Sequence, residues 1–97
     1  MRKRDYQGRL LYALNHKIRR DIVKLLIHGP SQVSPMGVSR SMDMKVSNLS
    51  YHFRVLHDND VLELVDEQPK RGAVEHFYGL APHVADDPIV LAILEGR

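Results

Sequence analysis

The hydrophobic spacing of this sequence changes type close to residue 60, and this change restricts the possible folds more than any other feature. Before that point, apolar residues recur at three- and four-residue steps, which is typical of helices with one buried face. After it, two short apolar segments flank a turn that contains Pro69 and Gly72, which is typical of a β-hairpin. Because the chain has 97 residues, we expect all of these elements to share the core of one domain, 1–97.

Boundary residues set the ends of the predicted helices. Asn15 is a predicted cap for the second helix, which Gly29 and Pro30 end. Ser34 and Pro35 are a cap and a first helical residue for the third. The apolar stripes are Tyr6, Leu10, Leu11 and Leu14 in a helix over 5–14; Ile18, Ile22, Leu25 and Leu26 in the second; Val38 and Met42 in the third; and Val46, Leu49, Phe53 and Leu56 in a fourth over Val46–Asp58.

The remaining elements are a hairpin and a last helix. Strands are predicted over Val61–Asp66 and Val74–Leu80 with a turn over 67–73, so that the wing spans 61–80. Asp87 and Pro88 open the last helix, which covers Ile89–Glu95, and the basic residues 1–4 form an arm that we expect to fray. The order α-α-α-α-β-β-α is that of an α+β winged helix-turn-helix, in which the second helix of the pair enters the major groove of DNA.

The composition excludes several classes of function. The sequence has no cysteine, which excludes disulfide scaffolds, thiolate metal sites and cysteine nucleophiles. Its longest apolar run, Ile89–Leu94, is far shorter than the roughly 20 residues that cross a bilayer. No apolar signal-peptide core follows Met1. We therefore expect a cytoplasmic binding domain with no membrane partner.

The charges are distributed unevenly along the chain. Residues 1–54 carry eleven Lys or Arg against three Asp or Glu, a net charge of +8, whereas residues 55–97 carry three against nine, a net charge of −6. A basic half can present a cationic surface to phosphates. The alternative is that these charges only coat solvated faces, so the positions of the basic residues must decide.

Polar side chains occupy the arc of the predicted helix Val46–Asp58 that lies opposite its apolar stripe. Ser47 and Asn48 offer short donors and acceptors to base edges, although helix capping is an alternative role for both. Tyr51 and Arg54 suit phosphates or bases. Including the residues before the helix and at the hairpin tip, the predicted DNA-binding set is Lys45, Ser47, Asn48, Tyr51, His52, Arg54, Lys70 and Arg71.

The segment Met44–Leu56 resembles the recognition helix of arsenic-repressor-type (ArsR-type) regulators, most specifically in the pattern Ser47-x-x-Ser50-x-His52-Phe53-x-x-Leu56. Upstream, 16–26 is similar to that family's second helix, and downstream 61–65 and 71–78 look like its wing strands. The resemblance covers about residues 10–80. Asp43 and Asp60 depart from it, because the family usually has glycine at these turns, and the cysteine motif of its metal sensors is absent.

The resemblance implies a homodimeric winged-helix transcriptional regulator, often a repressor, that binds double-stranded DNA. It implies that four residues of this helix face the major groove, namely Ser47, Asn48, Tyr51 and His52. It also implies that Lys70 and Arg71 form the wing tip. It also implies pairing through the helices at 5–14 and 88–95. The predicted interface residues are Leu10, Leu11, Leu14, Ile89, Val90, Ile93 and Leu94.

Several alternatives stay open at this stage. His52 lies at the edge of the apolar stripe, so a structural histidine bonded to the backbone competes with a DNA contact. Arg19 and Arg20 suit either phosphates or salt bridges to Asp21 or Glu63. A charged hairpin tip also protects edge strands from aggregation. For the whole chain, the alternatives are a winged-helix module that docks a protein and a metal-responsive repressor.

The sequence does not predict a metal site, a cofactor or an enzyme. His52 and His57 are five residues apart, about 140° around a helix, and so cannot share an ion. A weak site of His83 with Asp86 and Asp87 competes with a solvated joint. No acid orients an imidazole beside a serine, and no Gly-rich phosphate loop is present.

Overall fold

Six helices and one two-stranded antiparallel sheet make up the part of the chain that the computed structural model describes, residues 3–95. The predicted α+β winged helix-turn-helix order is confirmed, with one further short helix, α5. The predicted arm differs, since α1 begins at Lys3, and Met1 and Arg2 lie outside the described residues. The elements are α1 (Lys3–Leu14), α2 (Lys17–His28), α3 (Pro35–Met42), α4 (Val46–Asp58), β1 (Leu62–Lys70), β2 (Ala73–Leu80), α5 (Pro82–Ala85) and α6 (Pro88–Leu94).

One cluster of buried apolar side chains joins all of the helices to the base of the hairpin. At its centre, Leu49, Phe53 and Leu56 of α4 have no exposed surface. Burial of a side chain of this size stabilises the fold by about 1.5–3 kcal/mol. The prediction was wrong for Val46, which is 37% exposed because it lies in the first turn of α4, beside an open groove between this helix and the wing.

The structure confirms two of the three predicted helix caps. Ser34 Oγ accepts a hydrogen bond from the N–H of Gly37 at 2.9 Å, and Asp87 Oδ1 accepts one from Ile89 at 2.9 Å. The prediction of Asn15 as the cap of α2 was wrong. Asn15 still donates to the carbonyl of Tyr12 at 3.3 Å in the last turn of α1. His16 caps α2 instead, and its Nδ1 accepts from the N–H of Ile18 at 3.1 Å.

Two aspartates stand in the left-handed backbone region, at the turns where glycine was expected. Asp43 follows α3 with φ 52°, and Asp60 follows α4 with φ 62°. At each turn, two backbone N–H groups close a Schellman pair of hydrogen bonds onto the preceding helix. Asp60 Oδ2 also lies 2.9 Å from Arg9 Nη2 of α1. The family's preference for glycine therefore reflects a real conformational demand, which this chain meets with aspartate.

The wing has longer strands and a tighter loop than predicted. The pairing runs from Leu62 opposite Leu80 to Lys70 opposite Ala73, so the turn predicted over 67–73 was wrong. Gly72, with φ 73°, lets a two-residue loop close the hairpin. Pro69 fits within β1 because the sheet has only two strands, and an edge strand tolerates a missing N–H.

Short contacts fasten the wing to the start of α3. Val33 exchanges two backbone hydrogen bonds with Tyr78 of β2, at 2.8 and 2.9 Å. Ser34 Oγ donates to Glu75 Oε2 at 2.6 Å, while the same oxygen caps α3. The wing is thereby joined to the helix-turn-helix pair at its base and halfway along β2.

The terminal helices contribute to the protomer's own core. Of the predicted interface residues, Leu10, Leu14, Val90 and Leu94 are at most 6% exposed. Their side chains pack within one protomer and leave little surface for a second one, so their role in the interface stays a prediction. Exposed apolar side chains remain on both helices: Leu11 and Tyr12 on α1, and Ile89 and Leu91 on α6, while Ile93 is half-buried.

Candidate nucleic-acid interface

The outer face of α4 presents a row of exposed polar side chains. Leu49, Phe53 and Leu56 turn the opposite face into the core, which fixes the orientation of the helix. The exposed set contains Ser47, Asn48, Tyr51 and Arg54, and the Tyr51 side chain is 52% exposed. Hydroxyl, amide and guanidinium groups on one protruding helix suit the base edges and phosphates of a major groove.

The first turn of α4 has no side-chain cap. Lys45 is the N-cap residue and makes no capping hydrogen bond. Ser47 and Asn48 lie within the first helical turn, so the capping role considered for them is not the one that they adopt. The N–H groups of an uncapped first turn, together with an exposed lysine beside them, favour an anion such as a DNA phosphate.

An open groove of about 430 Å³ separates α4 from the wing. Arg54 and Ser50 of α4 border it on one side, and Val74 and His76 of β2 border it on the other. Tyr78 also lines it, and burial raises the pKa of its phenol although the positive charge of Arg54 opposes that rise. Arg54 therefore faces the groove, where a phosphate strand between helix and wing would meet it.

The tip of the wing is basic, whereas its first strand is acidic. Arg71 lies exposed in the two-residue loop. Lys70 is tied back, because its Nζ lies 3.6 Å from Glu75 Oε1, and Glu75 is only 9% exposed. On the exposed surface of β1 lie Glu63, Asp66 and Glu67. Only the loop end of the wing is thus suited to approach a phosphate backbone.

Residues 14–65 match the model of a family described as helix-turn-helix domain, and the match spans α2, α3, α4 and the start of β1. The chain belongs to this helix-turn-helix family. None of the functionally curated proteins matches its sequence significantly.

Solved structures share the fold of this helix-turn-helix protein. HlyU from Vibrio cholerae is 22% identical, with a TM-score of 0.65 over 98% of this chain and 91% of that one. A transcriptional regulator homologue from Pyrococcus horikoshii is 15% identical, with a TM-score of 0.68 over 93% and 90%. The homodimeric winged helix-turn-helix DNA-binding domain of Mb0332 from Mycobacterium bovis, a possible ArsR-family regulator, is 18% identical, with a TM-score of 0.64 over 94% and 73%. These similarities confirm the expected ArsR-like fold.

In this helix-turn-helix protein, His52 is the buried member of the predicted DNA-binding set. Its side chain is 8% exposed, and its Nδ1 lies 3.2 Å from Arg19 Nη1. The histidine is thus structural, as one of the two interpretations held, although its partner is a guanidinium and not the backbone. Because it has almost no free surface, we leave it out of the proposed DNA contacts.

Arg19 and Arg20 are used for internal contacts and not for the phosphates or salt bridges considered from the sequence. Arg19 is 6% exposed and donates from Nε to the carbonyl of Ala13 at 2.6 Å. Arg20 donates from Nη1 to the carbonyl of Leu14 at 2.8 Å. Both cations therefore satisfy the last carbonyls of α1, where a positive charge also complements the helix dipole.

Sequence reasoning missed Glu75, which contacts both the start of α3 and the tip of the wing. Its carboxylate accepts from Ser34 and lies near Lys70, so it joins α3 to the wing tip. A glutamate in a short strand gives no sign of burial, and only the assignment of Ser34 as a cap indicated that a polar contact lay nearby.

His83 takes part in a local structural contact between α5 and α1. The ring of His83 packs edge-on against Tyr6 at 5.2 Å, and Tyr6 donates to Asp87 Oδ2 at 2.8 Å. Burial, reinforced by this hydrogen bond, raises the pKa of Tyr6 to about 12.

Over residues 5–95, whose side chains are described, no group of three His, Asp or Glu could hold a metal ion. No described helix is both long and apolar enough to cross a membrane.

Proposed function

We propose that this helix-turn-helix protein is a sequence-specific regulator of transcription that binds duplex DNA in the cytoplasm as a homodimer and represses by occupying a promoter. The observation that carries the proposal is the exposed polar face of α4, which has Lys45 at one end and Arg54 facing the groove below a basic wing tip. The proposal assigns no catalytic activity, cofactor or metal.

Each contact has a distinct role in this proposal. Asn48 and Tyr51 read base edges in the major groove, where each base pair has its own pattern of donors and acceptors. Lys45, Arg54 and Arg71 neutralise phosphates, which gives affinity that falls as salt rises. Ser47 supports either role because its hydroxyl both donates and accepts. Lys70 contributes less than Arg71, because Glu75 already neutralises part of its charge.

The dimer is proposed from the exposed apolar residues of the terminal helices. Leu11 and Tyr12 are 55% and 58% exposed, and Ile89 and Leu91 are each 40% exposed. Apolar patches of this kind mark association surfaces. A homodimer is also the state of the Mycobacterium bovis domain, which shares the fold. Two α4 helices related by a two-fold axis would read the two halves of a palindromic operator.

The decisive experiment compares two variants on two duplexes across a salt series. An operator is first selected from random DNA, and a scrambled duplex serves as the non-specific reference. We expect Asn48→Ala to weaken operator binding by about 1–3 kcal/mol and to relax the preference at one base position. We expect Arg71→Ala to weaken both duplexes alike and to reduce the salt slope by about one unit.

Lys24→Ala is the matched control, because Lys24 is an exposed cation on α2 outside the proposed surface. It should leave both the affinity and the salt slope close to those of the wild type. Binding weaker than about 10⁻⁴ M to both duplexes lies below ordinary non-specific affinity and would refute the proposal. In that case, the protein-docking alternative would replace it.

A further inference from the structure

Arg19 and His52 form a buried polar contact that joins the recognition helix to the rest of the fold. Arg19 lies on α2 and His52 on α4, and they are 6% and 8% exposed. The guanidinium reaches His52 Nδ1 at 3.2 Å and the carbonyl of Ala13, near the end of α1, at 2.6 Å. One side chain thus connects three helices. His52 directly follows Tyr51, which we assign to the DNA.

The contact specifies the protonation state of the imidazole. A guanidinium carries only donors and keeps its charge in proteins. His52 Nδ1 must therefore accept, so the ring is neutral and carries its proton on Nε2. A protonated ring has no acceptor left. Protonation would also place a second positive charge beside the buried guanidinium of Arg19.

No acid faces His52 among the residues whose side chains the structure describes. Arg19 of α2 bonds it, and the ring of His16, the N-cap residue of α2, lies 4.4 Å away between centroids. On its own helix, the ring of Tyr51 lies 5.3 Å away. From α1, Tyr12 contacts only the guanidinium, at 5.7 Å. Burial, then His16 and Arg19, lower the pKa of His52 below its usual value.

His16 lies beside this contact and caps α2. Its Nδ1 caps α2 by accepting from the N–H of Ile18 at 3.1 Å. This cap lies at the same end of α2 from which Arg19 reaches α4. The tilted rings of His16 and His52, whose centroids are 4.4 Å apart, therefore lie together at this helix junction.

We propose that Arg19 is a positioning residue for α4 and that it works only while His52 is neutral, so that acidification weakens binding to the operator. This inference rests on the proposed function. The expected direction, which is weaker binding at low pH, distinguishes this proposal from a simple charge effect, because extra positive charge strengthens binding to phosphates. Charging of the six histidines alone would raise the affinity for DNA at low pH.

The test measures operator binding at pH 7.5 and pH 5.5 and at constant ionic strength. A ring with the usual histidine pKa of about 6.5 would weaken the wild type about tenfold between these two pH values. Because the pKa of His52 is lowered, we expect a measurable loss that is smaller than tenfold. In His52→Asn, the amide oxygen takes the place of Nδ1 as an acceptor and does not titrate. This variant should bind at pH 7.5 and show no acid loss. His52→Leu removes the acceptor and should bind weakly at both values.

His57→Asn is the matched control, since His57 is an exposed histidine on the same helix. It should keep the acid loss of the wild type. Equal pH profiles for the wild type and His52→Asn would overturn the proposal, as would tighter binding of the wild type at pH 5.5.

A measurement on the free protein separates this inference from the proposed function. Long-range nitrogen–proton NMR spectra should show His52 with its proton on Nε2 at pH 7.5, and the amide signals of α4 should shift as the ring titrates below pH 6.5. A proton on Nδ1, or a titration that leaves the α4 amides unmoved, refutes the pairing even if no operator is found. Failure of operator binding with these NMR results intact would refute the proposed function alone.

Discussion

The turn between α3 and α4 gives the sharpest test of the backbone argument, because Asp43 occupies a conformation that favours glycine. The left-handed region costs an L residue roughly 1–2 kcal/mol, and less for aspartate. Its carboxylate also follows the C-terminus of α3, where the helix dipole disfavours an anion by about 0.3–1 kcal/mol. Replacement of Asp43 by glycine removes both of these costs. The replacement itself costs about 0.4–1 kcal/mol, because glycine raises the entropy of the unfolded chain.

We therefore expect Asp43→Gly to raise the free energy of unfolding by about 0.5–1 kcal/mol. For a domain of this size, that change raises Tm by roughly 2–8 °C. Urea and thermal unfolding followed by circular dichroism would measure it. The protein concentration must be held fixed, because the stability of a dimer depends on it.

Asp43→Ala is the control that isolates the backbone, since it removes the same carboxylate but keeps a Cβ. We expect it to be less stable than Asp43→Gly by about 1 kcal/mol. Asp60→Gly should gain less than Asp43→Gly, because it also loses the 2.9 Å ion pair with Arg9, a contact worth about 0.2–1 kcal/mol. If alanine proves as stable as glycine at position 43, the conformational argument is wrong.

Three further predictions concern association, metals and alkaline stability. Leu11→Arg and Leu91→Arg should shift the protein from dimer to monomer in sedimentation, whereas a wild type that is monomeric at tens of micromolar would contradict the dimer. Zinc should leave operator affinity unchanged, and a tight stoichiometric titration that weakens binding tenfold would show otherwise. Tyr6 is neutral up to about pH 12 in the fold but only to about pH 10 when unfolded. The fold should therefore lose stability as pH rises from 10 towards 12, and Tyr6→Phe should remove that part of the loss.

The sequence predicted the helices of this fold well, because their signals are local. The stripe of Leu49, Phe53 and Leu56 and the caps at Ser34 and Asp87 each lie within one turn of the element that they define. The ends of the hairpin were less accessible. The strands extend through charged residues such as Asp66 and Glu67, where backbone pairing and not hydrophobicity decides the length.

In the candidate site, the exposure of Asn48 and Tyr51 was predicted, because it follows from helical periodicity. It was not predictable where long side chains choose among distant partners. Arg19 binds a carbonyl of α1 and an imidazole of α4, contacts that depend on how the helices pack. The same reason applies to the interface. An apolar stripe on a terminal helix predicts burial, but it does not tell whether Leu10 packs in its own protomer or in the partner.

The hydroxyl of Ser34 links helix and hairpin in one step, since it accepts from Gly37 and donates to Glu75. Together with the paired backbone of Val33 and Tyr78, it fixes the span between α4 and the tip of the wing. A DNA-binding protein of this kind holds its recognition helix and its wing tip at a constant distance from each other. It fits duplexes whose major groove lies at the matching distance from the next phosphate ridge, and it must deform the others at an energetic cost. In such a protein, part of the choice of DNA is made by the width of the grooves, at base pairs that no side chain touches.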